Sequence, residues 1–401
     1  MTQWSDYTTG ERIKLLRGPD LTQEQLAEAS GLSVATIRKA ERDLGGSLHT
    51  LLRISAALNA DVSVILGQQA PRRAMRGADR AMLRELSRAV HDTAAGVGVD
   101  VQPPAPAELA AGLAAAWEMY RAGDFAGAGV RVAPALREAA AALRAATADQ
   151  RGTAAGILAD AYRLAAYVAN QFGARDLAYA GIGHAQDQAD RAGDIVRSAM
   201  VASGRSWIYL RDSRLGQAEQ TARASYESIE PRYGDRDPGL LATYGWHVTF
   251  AAVVAARSGD IAGADDLLSQ GQAVAARMGR DVTVNGTAFG PTTVTAQAIG
   301  ISVSTGRPGK ALGLFGSLGD PSGLTPSAHN RLMLDVALAQ AETRQSDSAL
   351  DTLLDVCSAA PGWARHQALP GVIAQKASAG SATTAKLRKL SAILGTSMVI
   401  S

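Results

Sequence analysis

The sequence predicts an all-α protein, a small five-helix domain followed by an α-solenoid of about six helix pairs. Residues 21–42, LTQEQLAEASGLSVATIRKAER, read as two short helices joined by a glycine turn. Beyond residue 106, one short alanine-bearing motif returns between stretches of helical periodicity. Strand signals are weak throughout. VTVNGTAFGPTTV (282–294) has β-branched residues around Asn285 and Gly286, but it reads as a long loop leading into a helix that includes Gln297.

In chain order, GERIKLLR (10–17) supplies the first helix. The second opens with Thr22 and, three residues on, Gln25, a capping box whose side chains satisfy orphan amides of the first turn. Leu26 and Ala27 are its inward residues. Gly31 stands where the chain must turn with positive φ, a conformation cheap for glycine, and Leu32 anchors the turn. Ser33 caps the third helix, which turns Ile37 and Ala40 inward and leaves Val34, Ala35, Thr36, Arg38 and Lys39 outward. SLHTLLRISAALNADVSVILG (47–67) supplies two closing helices, and the domain spans residues 1–68. Residues 69–105 form a linker in which proline and glycine at either end make hinges around a connecting helix over 78–95. Arg72, Arg73, Arg76, Arg80 and Arg84 extend the basic character of the first domain into it.

Residues 106–401 carry the recurring motif, as GDFAGA (123–128), RDLAYA (175–180), SRLGQA (213–218), GDIAGA (259–264), GRPGKA (306–311) and QSDSAL, whose alanine is Ala349. The motif alanines fall 38 to 52 residues apart, the range of helix-pair repeats. A small residue opening each second helix lets paired helices approach closely, and neighbouring pairs then bury a continuous core. These units resemble tetratricopeptide repeats, most clearly in AAAWEMYRAGDFAGA (114–128). Laid on the repeated alanines, the tetratricopeptide register places Tyr162, Ser203, Trp207, Arg211, Trp246, Thr249, Arg257, Thr293 and Arg331 on a concave face. Aromatic platforms and guanidiniums sharing one cavity suit a peptide, or an aromatic small molecule with an anionic group.

The first domain resembles the phage-repressor-type helix-turn-helix family, the XRE regulators, from Thr9 to Gly67. GERIKLLR matches the family's first helix, TQEQLAEASGLS (22–33) its helix and turn, and ATIRKAER (35–42) its recognition helix. The resemblance implies binding of double-stranded DNA. Gln23 would touch a phosphate, Ser33, Val34, Ala35, Thr36, Arg38 and Lys39 would lie at the DNA surface, and Arg12 would pair with Glu41 to fix the recognition helix. Val34 and Ala35 can offer bases only apolar contact, so bidentate reading falls to Arg38 or Lys39, most naturally on guanine. Ala40 is smaller than the family's usual residue, and DLGGS (43–47) replaces a more polar turn. The two halves together resemble the repeat-bearing XRE regulators of actinobacteria and the peptide-pheromone receptors of Gram-positive bacteria. That implies a homodimer on a palindromic operator, with an effector in the helical groove.

The net charge of +2 over 401 residues rules out a general polyanion binder and leaves DNA affinity to a local patch. The single cysteine, Cys357, excludes an internal disulfide and reads as a small buried apolar residue. Six scattered histidines lack metal-ligand spacing, and Walker, GxGxxG and GxSxG motifs are absent. No catalysis and no cofactor is expected. MTQWSDYTTGER lacks an apolar signal region, and no uninterrupted apolar run of spanning length is read, so the expected location is cytoplasmic, with no membrane partner. The expectation is a DNA-binding transcriptional regulator governed by a small-molecule or peptide ligand. The alternative is a DNA-tethered scaffold whose repeats hold a protein partner.

Overall fold

The structure, a computed structural model, describes residues 7–19, 21–44, 46–58, 60, 62–67, 76–98, 100–284, 287–367, 369–378 and 384–394. Arg72, Arg73, Asn285 and Gly286 lie outside them. Five short helices come first: α1 (Thr9–Arg17), α2 (Gln23–Ser30), α3 (Val34–Ala40), α4 (Leu48–Ala57) and α5 (Val62–Ile65). After α6 (Gly77–Ala94) the chain forms helix pairs: α7 (Pro106–Ala122) with α8 (Phe125–Ala145), α9 (Arg151–Gln171) with α10 (Arg175–Ala192), and α11 (Ile195–Arg211) with α12 (Leu215–Glu227). There follow α13 (Pro238–Ser258) with α14 (Ile261–Met278), α15 (Pro291–Ser304) with α16 (Pro308–Ser317), and α17 (Pro326–Glu342) with α18 (Ser346–Ala359). The short α19 (Pro361–Ala364), α20 (Leu369–Ser378) and α21 (Thr384–Leu394) pack against the last pair. The chain is thus an all-α protein in which a small N-terminal bundle is followed by a large array of packed helix pairs.

Local chemistry sets the helix boundaries. The Thr22–Gln25 capping box forms in both directions, and Thr8 with Glu11 makes a second one on α1. Gly31 turns the chain with φ 60°, and the Ser33 hydroxyl accepts from the Thr36 amide. The small Ala40 has a reason in the packing of α1 on α3. A Cβ on Gly10 would stand 2.6 Å from the Glu41 carbonyl oxygen and 2.8 Å from that of Ala40, so the two helices meet backbone to backbone.

The pairs of the array share one device. A residue with positive φ ends each first helix or its turn, at Gly123, Gly173, Ser213, Gly259, Gly306 and Arg344, and a fully buried alanine follows five residues later, at Ala128, Ala178, Ala218, Ala264, Ala311 and Ala349. In the second unit the packing alanine is therefore Ala178, not the Ala180 of the sequence register, which is only half-buried.

Two other expectations change. Residues 282–294 do not run as a loop: Val282–Val284 (β1) pairs antiparallel with Thr287–Phe289 (β2), Val282 opposite Phe289, and Phe289 is fully buried. Alternating β-branched residues outweigh the helical context there because Phe289 packs against α13, where Gly245 leaves room for its ring. The connecting helix α6 is no free strut, since it packs on α8, α9 and α10 and buries Leu86, Ala89 and Val90. The helix α13 is long and apolar enough to cross a membrane by length and composition alone, and most of it is buried within the array.

Candidate DNA-reading face and effector cavity

The third helix packs on α1 and α2 through Ile37 and Ala40, which leaves Ala35, Arg38 and Lys39 exposed. Ser33 is exposed too, with its hydroxyl 2.8 Å from that of Thr36. Val34 and Thr36 are half-buried, and Val34 leans on the domain core. The exposed remainder carries two positive charges and one methyl.

A polar relay lies behind this face. Arg17 Nε donates to Glu41 Oε1 at 2.7 Å, and Gln23 Nε2 donates to Glu41 Oε2 at 2.5 Å. Gln23 Oε1 accepts from Arg38 Nε at 3.2 Å, and Arg38 Nη2 reaches Glu24 Oε1 at 3.3 Å. Glu41 is 2% exposed, so its two partners compensate a buried carboxylate whose loss of pairing costs about 3–5 kcal/mol. The ion pair holding the recognition helix is made by Arg17, not by Arg12. Five residues along α1 rotate a side chain well away from its starting face, and the buried Arg12 instead donates to the Ile65 carbonyl at 3.2 Å, tying α1 to α5. Gln23 is engaged rather than free, but its amide keeps a second N–H to offer a phosphate.

On the array, the helices α7, α9, α11, α13, α15 and α17 contribute to one cavity of about 490 Å³. Of the residues read from the sequence, Ser203, Trp207, Arg211, Trp246, Arg257, Thr293 and Arg331 line it. Tyr162 and Thr249 do not. Tyr162 is 2% exposed with its hydroxyl 2.9 Å from Thr93 Oγ1 on α6, and the fully buried Thr249 donates to the Gly245 carbonyl at 2.7 Å. Both belong to the core because each sits on the side of its helix that faces a neighbouring helix.

The sequence register missed much of the lining. Trp117, Tyr120 and Arg121 come from α7, Arg163, Tyr167 and Gln171 from α9, and Trp363 and His366 from the segment after α18. The rings form a band: Trp117 to Tyr167 is 5.5 Å edge-on, and Tyr167 to Trp207 is 5.1 Å. The Arg163 guanidinium lies over the Trp117 ring at 4.4 Å, and that of Arg211 over Trp207 at 5.8 Å. Arg211 Nη1 donates to Gln171, whose Nε2 donates to the Tyr120 hydroxyl at 3.2 Å. Burial raises the pKa of the Tyr120 and Tyr167 hydroxyls, so both stay protonated. Burial also pushes the His366 imidazole down to about 4, between the rings of Phe125 and Phe172.

The cavity has a wall from the first domain. Leu52, Ser55 and Ala56 of α4 and Val62 and Ser63 of α5 line it together with the array residues. Close by in the chain, the Ala60 carbonyl accepts from Ser213 Oγ at 2.7 Å, at the strained turn between α11 and α12. Any molecule filling this space would touch both parts of the protein. Among the described residues, no group of His, Cys, Asp and Glu could hold a metal ion, and Cys357 is buried as expected, with its thiol pushed up to about 12 by desolvation.

Compared with known families, residues 13–65 match the helix-turn-helix family. The match covers α1 from Ile13 through α5 and thus includes the exposed face of α3. No curated protein and no solved structure matches the chain.

Proposed function

We propose that this protein is a cytoplasmic, sequence-specific DNA-binding regulator, dimeric on a palindromic operator, and that a small molecule or peptide in the array's cavity controls it. The observation that carries the reading is the shared wall: α4 and α5 of the helix-turn-helix domain line the same cavity as the aromatic and arginine residues of the array. Occupancy there acts on the reader's placement without covering its recognition face, since Ala35, Arg38 and Lys39 stay exposed in the docked arrangement. A ligand shifts such an equilibrium only by binding one arrangement better than the other. The helix pairs support a tetratricopeptide-like array in which this cavity is the concave side. Two readers placed about 34 Å apart would recognise half-sites one helical turn apart.

The test is selection of genomic DNA fragments by the purified full chain. A shared palindrome is the expected result, with its affinity altered by the effector and with the Trp207→Ala, Trp246→Ala double variant binding DNA but no longer responding. Absence of any enriched sequence would overturn DNA reading. Sequence-specific binding indifferent to small molecules and peptides, together with a stable protein partner on the array, would favour the scaffold reading.

A further inference from the structure

The cavity holds buried polar atoms that have no hydrogen-bond partner of good geometry among the described residues. Arg163 is 4% exposed, and its Nε has no hydrogen-bond partner. Arg121 Nη1 and Ser327 Oγ are likewise buried and unpartnered, and all three residues line the same cavity. Buried donors of this kind are rare in folded proteins and mark places where an acceptor belongs. Two of the three are guanidinium N–H groups, which bond anions about twice as strongly as neutral acceptors.

The charge of the lining agrees. Arg121, Arg163, Arg211, Arg257 and Arg331 line the cavity with one carboxylate among the described lining residues, Asp335, which Arg331 Nε holds at 3.0 Å; from outside the lining, Glu118 pairs with Arg121 Nη2 at 2.5 Å and leaves its Nη1 unused. Among the described residues, no lysine lines the cavity. Arg163 stands at the edge of the aromatic band, stacked on Trp117 and 3.5 Å from Asp160 through its Nη2, so its unused Nε adjoins a flat apolar platform. The volume of about 490 Å³ lies within the range that encloses drug-sized molecules.

The geometry points to a small aromatic molecule carrying one anionic group as the effector, its anion on Arg163, Arg121 and Ser327 and its rings on Trp117, Tyr167 and Trp207. This rests on the cavity being the effector site, and it names the chemistry that site selects. Carboxylate, sulfonate and phosphate share that chemistry.

Two dyes of one shape test it on the full-length protein without DNA: 1-anilinonaphthalene-8-sulfonate and its uncharged counterpart N-phenyl-1-naphthylamine. Four of the five tryptophans line the cavity, so quenching of intrinsic fluorescence reports on it directly. The expected result is saturable binding of the sulfonate at one site per chain, about tenfold or more tighter than the uncharged dye. Arg163→Met should remove that preference, bringing the two dyes to within about twofold of each other, and Arg163→Lys should restore part of it. Ser327→Ala should reduce it severalfold, and this half-buried position on α17 keeps the test valid where Arg163→Met fails to fold. Equal affinities for the two dyes, or a preference untouched by Ser327→Ala and the Arg163 variants, would overturn the assignment. Loss of the dye preference in a protein that still selects an operator removes the ligand class and leaves the DNA-reading function standing. A clear preference in a protein that selects no DNA does the reverse.

Discussion

At the scale of single residues, the face proposed to read DNA is already engaged within the protein. Arg38, the side chain best able to read guanine, is held by Gln23 and Glu24, the latter an exposed pair of the kind that contributes 0–1 kcal/mol. DNA must therefore exchange Glu24 for its own acceptors, and Glu24 brings a negative charge beside that face. Glu24→Gln should tighten binding to all DNA about two- to tenfold and lower the salt sensitivity of weak complexes. Arg38→Ala should instead cost about 1–3 kcal/mol at one base position and relax preference there. Fluorescence anisotropy on operator and scrambled duplexes separates the two patterns, and equal loss on both duplexes from Arg38→Ala would place Arg38 on phosphate. Composition alone could not reveal this relay. Arg17 and Arg12 both precede Glu41 at plausible distances in sequence, and only the angular position on α1 decides between them.

At the scale of elements, the turns between paired helices explain both what the sequence discloses and what it conceals. Helix starts were legible because their caps are local: Thr22 with Gln25 and Ser33 with Thr36 lie within one turn. The repeat was legible because a buried alanine recurs. The second unit was misplaced because RDLAYA contains two alanines, Ala178 and Ala180, and only burial distinguishes them. The displacement had consequences for the site. Trp207 and Arg211 precede Ala218 by eleven and seven residues; the same offsets from Ala178 give Tyr167 and Gln171, and from Ala128 give Trp117 and Arg121, all of which line the cavity. Counted from the positive-φ residue rather than from the alanine motif, these positions are readable in the sequence. The reader's wall is not, because nothing local encodes contact between residues about 150 apart, as between Ala60 and Ser213. The same turns yield a stability prediction. Arg344 and Ser213 adopt positive φ without being glycine, which costs a non-glycine residue about 1–2 kcal/mol. Arg344→Gly should stabilise the protein by a net 0.5–1 kcal/mol, roughly, after the flexibility glycine adds to the unfolded chain. Ser213→Gly should relieve the same strain but free the Ala60 carbonyl, so denaturant melts should hold or improve while amide exchange in α4 and α5 accelerates. Unchanged exchange would show that Ser213 takes no part in docking the reader.

At the scale of the whole molecule, the array stores a dependence on pH. His247, in α13, is buried and has its pKa pushed down to about 4 by desolvation, as His366 has in the cavity. Unfolded, each returns to about 6.5 and binds a proton that the folded state refuses. The stability gained from keeping them neutral is complete above about pH 6.5 and is lost as pH falls towards 4, by about 1.4 kcal/mol per pH unit for each histidine at the steepest. Denaturant melts between pH 7.5 and 4.5 should show this decline, and His247→Phe should flatten it. An equal slope in that variant would assign the acid sensitivity to His366 and the carboxylates instead.

On the proposed reading, the wall that α4 and α5 lend to the cavity also makes the traffic run both ways. Binding free energies at two coupled sites are reciprocal, so whatever factor the effector applies to the operator, the operator applies to the effector. A chain seated on its promoter would then retain or release its small molecule differently from one diffusing free, and the number of unoccupied operators in a cell would help set the concentration at which the signal is heard.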